Sequence, residues 1–237
     1  MMDNLALVLL AIAAIAVFMA VAQRDRLRLN RQRSRLLDAA AGLFDNSRLR
    51  AAPDGFPILD GSLSDGRRIR IELIADTLVC RRLPQLWLKL TLAEHEPVAR
   101  PSIGALSRPT GAEFYSMVHD LPEWLAPPQT EASILLRGDG TATPAELKQA
   151  SSIFQALFRN PTVKEAVITP RGVRLIRQVA EGDRGAHLVL RQVRFPIEQV
   201  PADLIRTAIA EAQLLSETLA GDRTGTMQAS ALAPIEA

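Results

Sequence analysis

Residues Leu5–Ala22 read LALVLLAIAAIAVFMAVA, a run without a charge, a proline or a glycine. At about 1.5 Å per residue its eighteen positions reach roughly 27 Å as a helix, close to the ~30 Å hydrocarbon core of a bilayer. No polar stripe interrupts it, which speaks against an amphipathic surface helix or a helix buried in a soluble core. Residues 5–22 are therefore read as a transmembrane anchor whose partner is the bilayer. Arg24, Arg26, Arg28, Arg31, Arg33 and Arg35 follow at once, with Asp25 the one acid among them, while Asp3 is the one charged side chain before the run. Cytoplasmic flanks carry the excess of Arg and Lys, so the expected topology is single-pass in the plasma (inner) membrane, N-terminus outside and soluble domain cytoplasmic. Ala20-Val21-Ala22 also fits a small-residue cleavage site, and export after cleavage at Ala22 is the alternative. No Lys or Arg precedes the run, and a dense Arg cluster directly after a cleavage site resists export; both oppose that alternative.

The six arginines have two readings. One is a topology signal whose heads reach lipid phosphates. The other is a module responsive to anionic lipid, each Arg contributing ~1 kcal/mol near the surface. Nucleic acid is not an expected partner, because no aromatic interleaves the arginines. Without Asp3 and residues 24–35, the chain keeps 22 basic and 24 acidic residues, so its basic character is local.

Residues 24–46 continue in helical style as an Arg-rich juxtamembrane helix, with Leu29, Leu36, Leu37, Ala40, Leu43 and Phe44 near helical spacing and a stop at Asp45-Asn46-Ser47. Beyond it, RRIRIEL (67–73) and QLWLKLTL (85–92) alternate apolar and polar residues, the pattern of half-buried strands, and are expected to pair antiparallel. Short strands are also expected at 56–59 and 133–136. Thr143-Pro144-Ala145-Glu146 opens a helix with Thr at the N-cap, Pro at N1 and Glu at N3, and Asn160-Pro161 closes it. Strands at 163–168, 173–179 and 187–195 read as a three-stranded meander, and Ala202–Leu219 as a last helix. The fold class is α+β: a transmembrane helix, then a two-layer domain of antiparallel strands packed with two or three helices. The organisation is 1–23 anchor, 24–46 juxtamembrane helix, 47–220 soluble domain in blocks 56–136 and 143–219 that form one sheet or two subdomains, and 221–237 a disordered tail.

The layout of one span, a long helix and an α+β domain resembles a loose class of uncharacterised bacterial single-pass membrane proteins. That resemblance covers the whole chain, rests on no signature motif and implies no activity.

Chemistry is sparse. No glycine-rich phosphate loop and no nucleophile elbow occurs. Cys80 is the sole cysteine, so neither an internal disulfide nor a cysteine metal site is expected. His95, His119 and His187 are scattered, and neither metal nor cofactor is expected. The leading expectation is a non-enzymatic scaffold that binds a protein partner on the cytoplasmic face. Its contact region is the aromatic cluster Phe114, Tyr115, Trp124 and Leu125, in a chain otherwise poor in aromatics. The alternative is an enzyme with a site assembled around His119, Asp120 or His187. Arg171, Arg174 and Arg177 make a weaker candidate for an anion site, with surface arginine the default.

Overall fold

A computed structural model describes residues 2–44, 46–77, 82–190 and 192–219. The expected tail at 221–237, Asp45, Cys80 and Arg81 lie outside these residues.

Helix α1 runs Met2–Ser34, and its apolar side chains from Val8 to Val21 stand exposed, most of them more than half. It is long and apolar enough to cross a membrane. Exposed apolar surface on this scale has no stable place in water. The juxtamembrane helix expected over 24–46 stops at 34 and resumes as a one-turn α2, Asp38–Ala41. The Leu36 carbonyl is taken out of the helical ladder by the Val200 N–H at 2.9 Å. The break lets adjacent Leu36 and Leu37 both bury, at 2% and 0% exposure.

The strands are β1 Arg48–Ala51, β2 Pro57–Ser62, β3 Arg68–Asp76, β4 Gln85–Ala93, β5 Ile103–Ser107, β6 Glu123–Leu125, β7 Ile134–Gly138, β8 Val163–Thr169 and β9 Gly172–Glu181. The remaining helices are α3 Pro144–Leu157, α4 Arg184–Leu190 and α5 Ala202–Glu217. All nine strands form one antiparallel sheet in the order β1-β2-β3-β4-β9-β8-β5-β7-β6. The two sheet–helix blocks therefore share a sheet, joined where β4 pairs with β9.

Pairing of β3 with β4 follows the alternation: Ile69, Ile71 and Leu73 face the same layer as Leu88, Leu90 and Leu92. That layer packs against α2, α3 and α5 through Ala40, Ala150, Phe154, Ile205, Ala208, Ala212 and Leu215. The α3 capping box forms as the sequence dictates. Thr143 Oγ1 accepts from the Glu146 N–H at 3.3 Å, and the Glu146 carboxylate accepts from the Thr143 N–H at 2.8 Å.

Further elements differ from expectation. Residues 187–195 are not a third strand: 184–190 is helix α4, followed by irregular chain. Asp183 starts this helix, its carboxylate accepting from the Ala186 N–H at 2.6 Å, and both edges of β9 are already occupied by β4 and β8. Strand β5 lies in a stretch where no strand is expected; its five residues are all buried, so it carries no alternation. Strand β1 was also absent from the sequence reading; its four residues are all exposed.

Candidate functional site

The sheet face away from α3 and α5 carries a polar cluster under the 108–121 segment. Its centre is a buried ion pair between Lys164, on β8, and Glu113, in the covering segment, at 2.8 Å. The Lys164 ammonium also donates to the carbonyls of Ser107 and Arg108, both at 2.9 Å, which uses all three of its protons. The Glu113 carboxylate accepts as well from the N–H and hydroxyl of Thr110 and the Gly111 N–H, at 2.8–3.0 Å. Burial alone would raise the Glu113 carboxyl; Lys164 and the Thr110 donors outweigh it and bring the pKa down to about 2. Burial likewise lowers Lys164, an effect that Glu113 offsets only in part.

Beside this pair a cavity of about 170 Å³ is lined by Asp76, Arg82, Gln85, Trp87, Arg108, Thr110, Glu113, Tyr115, Lys164 and Gln178. Tyr115 packs on Trp87 at 6.1 Å between ring centroids, and its hydroxyl donates to Asp76 Oδ2 at 3.5 Å. Burial raises the Tyr115 phenol, with the carboxylates of Asp76, Glu113 and Glu165 adding to the shift. Glu165 is fully buried, with Arg174 Nε at 3.2 Å. Its carboxyl is pushed up by burial, against the opposing pull of Arg174, the Ser116 hydroxyl and the backbone N–H groups of Met117 and Val118.

The four residues of the expected contact region divide. Phe114 and Trp124 are 63% and 71% exposed, whereas Tyr115 is buried and Leu125 half-buried. Trp124 lies on the edge strand β6, opposite Arg137 of β7, whose guanidinium stacks over the indole at 4.8 Å. Arg137 also donates to the His119 carbonyl at 2.6 Å, which ties this edge to the covering segment. Met117, in the same segment, is 38% exposed. Neither Met117 nor Arg137 is part of the expected contact region, because their roles here depend on the fold.

His119 Nε2 lies 3.5 Å from Glu113 Oε2, at the margin of the buried pair. Asp120 is exposed, and His187 belongs to α4. Among the described residues, no hydrogen bond or ion pair joins His119, Asp120 and His187, and no group of three metal-type ligands forms. Lys164, Glu113 and Glu165 are the groups that sequence reasoning missed; their burial depends on strand order, which leaves no local signal.

Arg174 and Arg177 are not open to an anion. Arg174 pairs with Glu165 and donates to the Tyr115 carbonyl, and Arg177 pairs with Glu211 of α5 at 2.8 Å. Of the six arginines that follow the apolar run, Arg33 donates to the carbonyls of Asp54 at 3.2 Å and Val193 at 3.5 Å and stacks over Phe56 at 4.9 Å. Arg35 pairs with Asp38 at 3.5 Å. Arg24, Arg26, Arg28 and Arg31 are exposed, with no ion pair among the described residues.

These features define a class of protein: one apolar helix long enough to cross a membrane, followed by an antiparallel α+β sheet domain. Comparison of the chain with protein-family models, curated proteins and solved structures found no match.

Proposed function

We propose that the chain is a membrane-tethered domain that binds a protein partner at the cytoplasmic face of the inner membrane. The observation that carries this reading is the exposure of Phe114 and Trp124 around the covering segment and the adjacent sheet edge. Large exposed aromatics are costly to leave in water and are the side chains that dominate protein interfaces when buried there. Arg137 holds the Trp124 indole from below, which limits the rotamer entropy lost on binding. The test is photo-crosslinking in intact cells with a photoreactive residue in place of Trp124, of Phe114, or of Leu49 as a distant exposed control. Discrete adducts of one size from 124 and 114, and none from 49, are the expected result. Equal smearing from all three positions would remove the proposal.

A second reading, an enzyme, is favoured by the convergence of Asp76, Glu113, Tyr115 and Lys164 on one cavity. Saturated hydrogen bonding at Lys164 and Glu113 counts against it, because a general base or nucleophile needs a lone pair or proton to give. The same cluster serves as a polar clamp that fastens the covering segment to the sheet, and so holds Phe114 and Met117 in place.

A further inference from the structure

Where α1 leaves its apolar run, one of its faces turns toward the domain and encloses a cleft of about 610 Å³. The helical wall is built by Phe18, Val21, Ala22, Asp25, Arg26, Leu29 and Asn30, of which Asp25 and Leu29 are half-buried and Arg26 and Asn30 exposed. The opposite wall is the β1–β2 turn Pro53-Asp54-Gly55 together with Gln192 and Val193. Gly55 has φ 83°, in the left-handed region that glycine adopts without strain, and this shapes the turn that faces Asn30. Arg33 closes the floor through its bonds to the Asp54 and Val193 carbonyls.

The chemistry of this cleft changes along its length. Phe18, Val21 and Ala22 continue the apolar surface of the span without a break. Arg26 lies four residues past Ala22, about 6 Å further along the helix, at the level where phosphates lie if residues 5–22 fill the hydrocarbon core. Arg26 is exposed and has no ion pair among the described residues. The amides of exposed Asn30 and half-buried Gln192 line the cleft further toward the domain and supply neutral hydrogen-bond donors. Asp54 faces the same space, but its Oδ1 is engaged by the Phe56 N–H at 3.1 Å. The cavity is of the size that holds small ligands.

The geometry points to a binding site for one anionic phospholipid, with an acyl chain along Phe18 and Val21, the phosphate on Arg26 and the headgroup polar atoms toward Asn30 and Gln192. The occupant is a lipid and not a soluble phosphate ester, because the apolar end of the cleft opens onto the membrane-facing surface of α1. Asp25, half-buried in the same wall, favours a headgroup that carries hydroxyl donors, such as phosphoglycerol, over one with a second phosphate. This inference rests on α1 lying in the bilayer and is independent of the partner surface at Trp124.

The test uses the full chain, purified in mild detergent and placed in nanodiscs of phosphatidylcholine with or without phosphatidylglycerol. Native mass spectrometry reads the phospholipid retained after release, for the wild type, Arg26→Gln with Asn30→Ala, and Arg24→Gln with Arg28→Gln. Selective retention of one phosphatidylglycerol by the wild type is expected, falling about fivefold or more in the cleft variant and little in the other. Equal loss in both variants would show diffuse attraction to the arginines and overturn the site. So would no loss in either, or competition by soluble glycerol phosphate as effective as by the lipid. A chain that fails to enter nanodiscs overturns the membrane reading as well, while crosslinking at Trp124 reports separately on the partner surface.

Discussion

Lys164 and Glu113 show how strongly one buried pair can be committed. Each is almost fully covered, at 4% exposure, and together they bind the covering segment to β8. Removing one charge leaves the other buried without compensation, so Lys164→Met is expected to cost about 3–5 kcal/mol in urea or guanidinium unfolding of the domain. Trp124→Ala, at an exposed site, is expected to change stability by no more than about 0.5 kcal/mol. Acid offers a second check. Glu113 titrates near 2 in the folded chain and at its ordinary value of 4.5 when unfolded, so its contribution is complete above about pH 4.5 and is lost as pH falls toward 2. Glu165 has the opposite sign: its folded pKa is raised, so the native state takes up its proton first and gains relative stability as pH falls through that raised value. Stability measured from pH 6 to pH 2.5 should therefore decline less steeply in Glu113→Gln than in the wild type. A limb of unchanged steepness would assign acid lability to other carboxylates.

At the level of elements, what could be read in advance was whatever local chemistry decides. The alternation in β3 and β4, the turn residues between β8 and β9, and the Thr143 cap each specify their element within a few residues. Thr143→Ala is accordingly expected to lower stability by about 1 kcal/mol, seen as a fall in melting temperature of a few degrees, because the start of α3 loses its side-chain acceptor. An unchanged melting temperature would mean that packing of Phe154 and Phe158 alone holds α3. Segments set by tertiary context were not legible. HLVLRQVRF at 187–195 has the composition of a strand, yet the strand order leaves β9 no free edge and Asp183 caps a helix instead. Strand β5 sits between β8 and β7 with both faces covered, so its sequence lacks the period of two. The polar cluster was hidden for the same reason: Asp76, Glu113 and Lys164 meet only because β3, the covering segment and β8 converge. Among the aromatics, sequence grouped Phe114 with Tyr115, and only the fold separates an exposed ring from a buried one.

For the molecule as a whole, the helix that is long and apolar enough to cross a membrane is fastened to the domain and does not swing on a linker. Gln32 donates to the Ile197 carbonyl at 3.1 Å, Arg33 bridges two loops, and Leu36, Leu37 and Ala40 are core residues. Insertion of α1 in the proposed topology would therefore set the distance of the sheet from the bilayer, with the sign of the flanking charge deciding which side the domain occupies. Arg24, Arg26, Arg28 and Arg31 are the right residues with which to test this, since they are exposed, whereas Arg33 holds the helix to Phe56 and Arg35 pairs with Asp38. In right-side-out vesicles, protease added outside is expected to spare the wild-type domain until detergent opens the membrane, and in inverted vesicles to digest it at once. Changing the four exposed arginines to glutamine should weaken this asymmetry, giving a fraction of chains cut from both sides while the folded domain keeps its melting temperature. If the wild-type domain is digested in right-side-out vesicles, the orientation is reversed. The cleft beside Arg26 would then face the opposite leaflet, and a partner for Trp124 would have to be sought outside the cell.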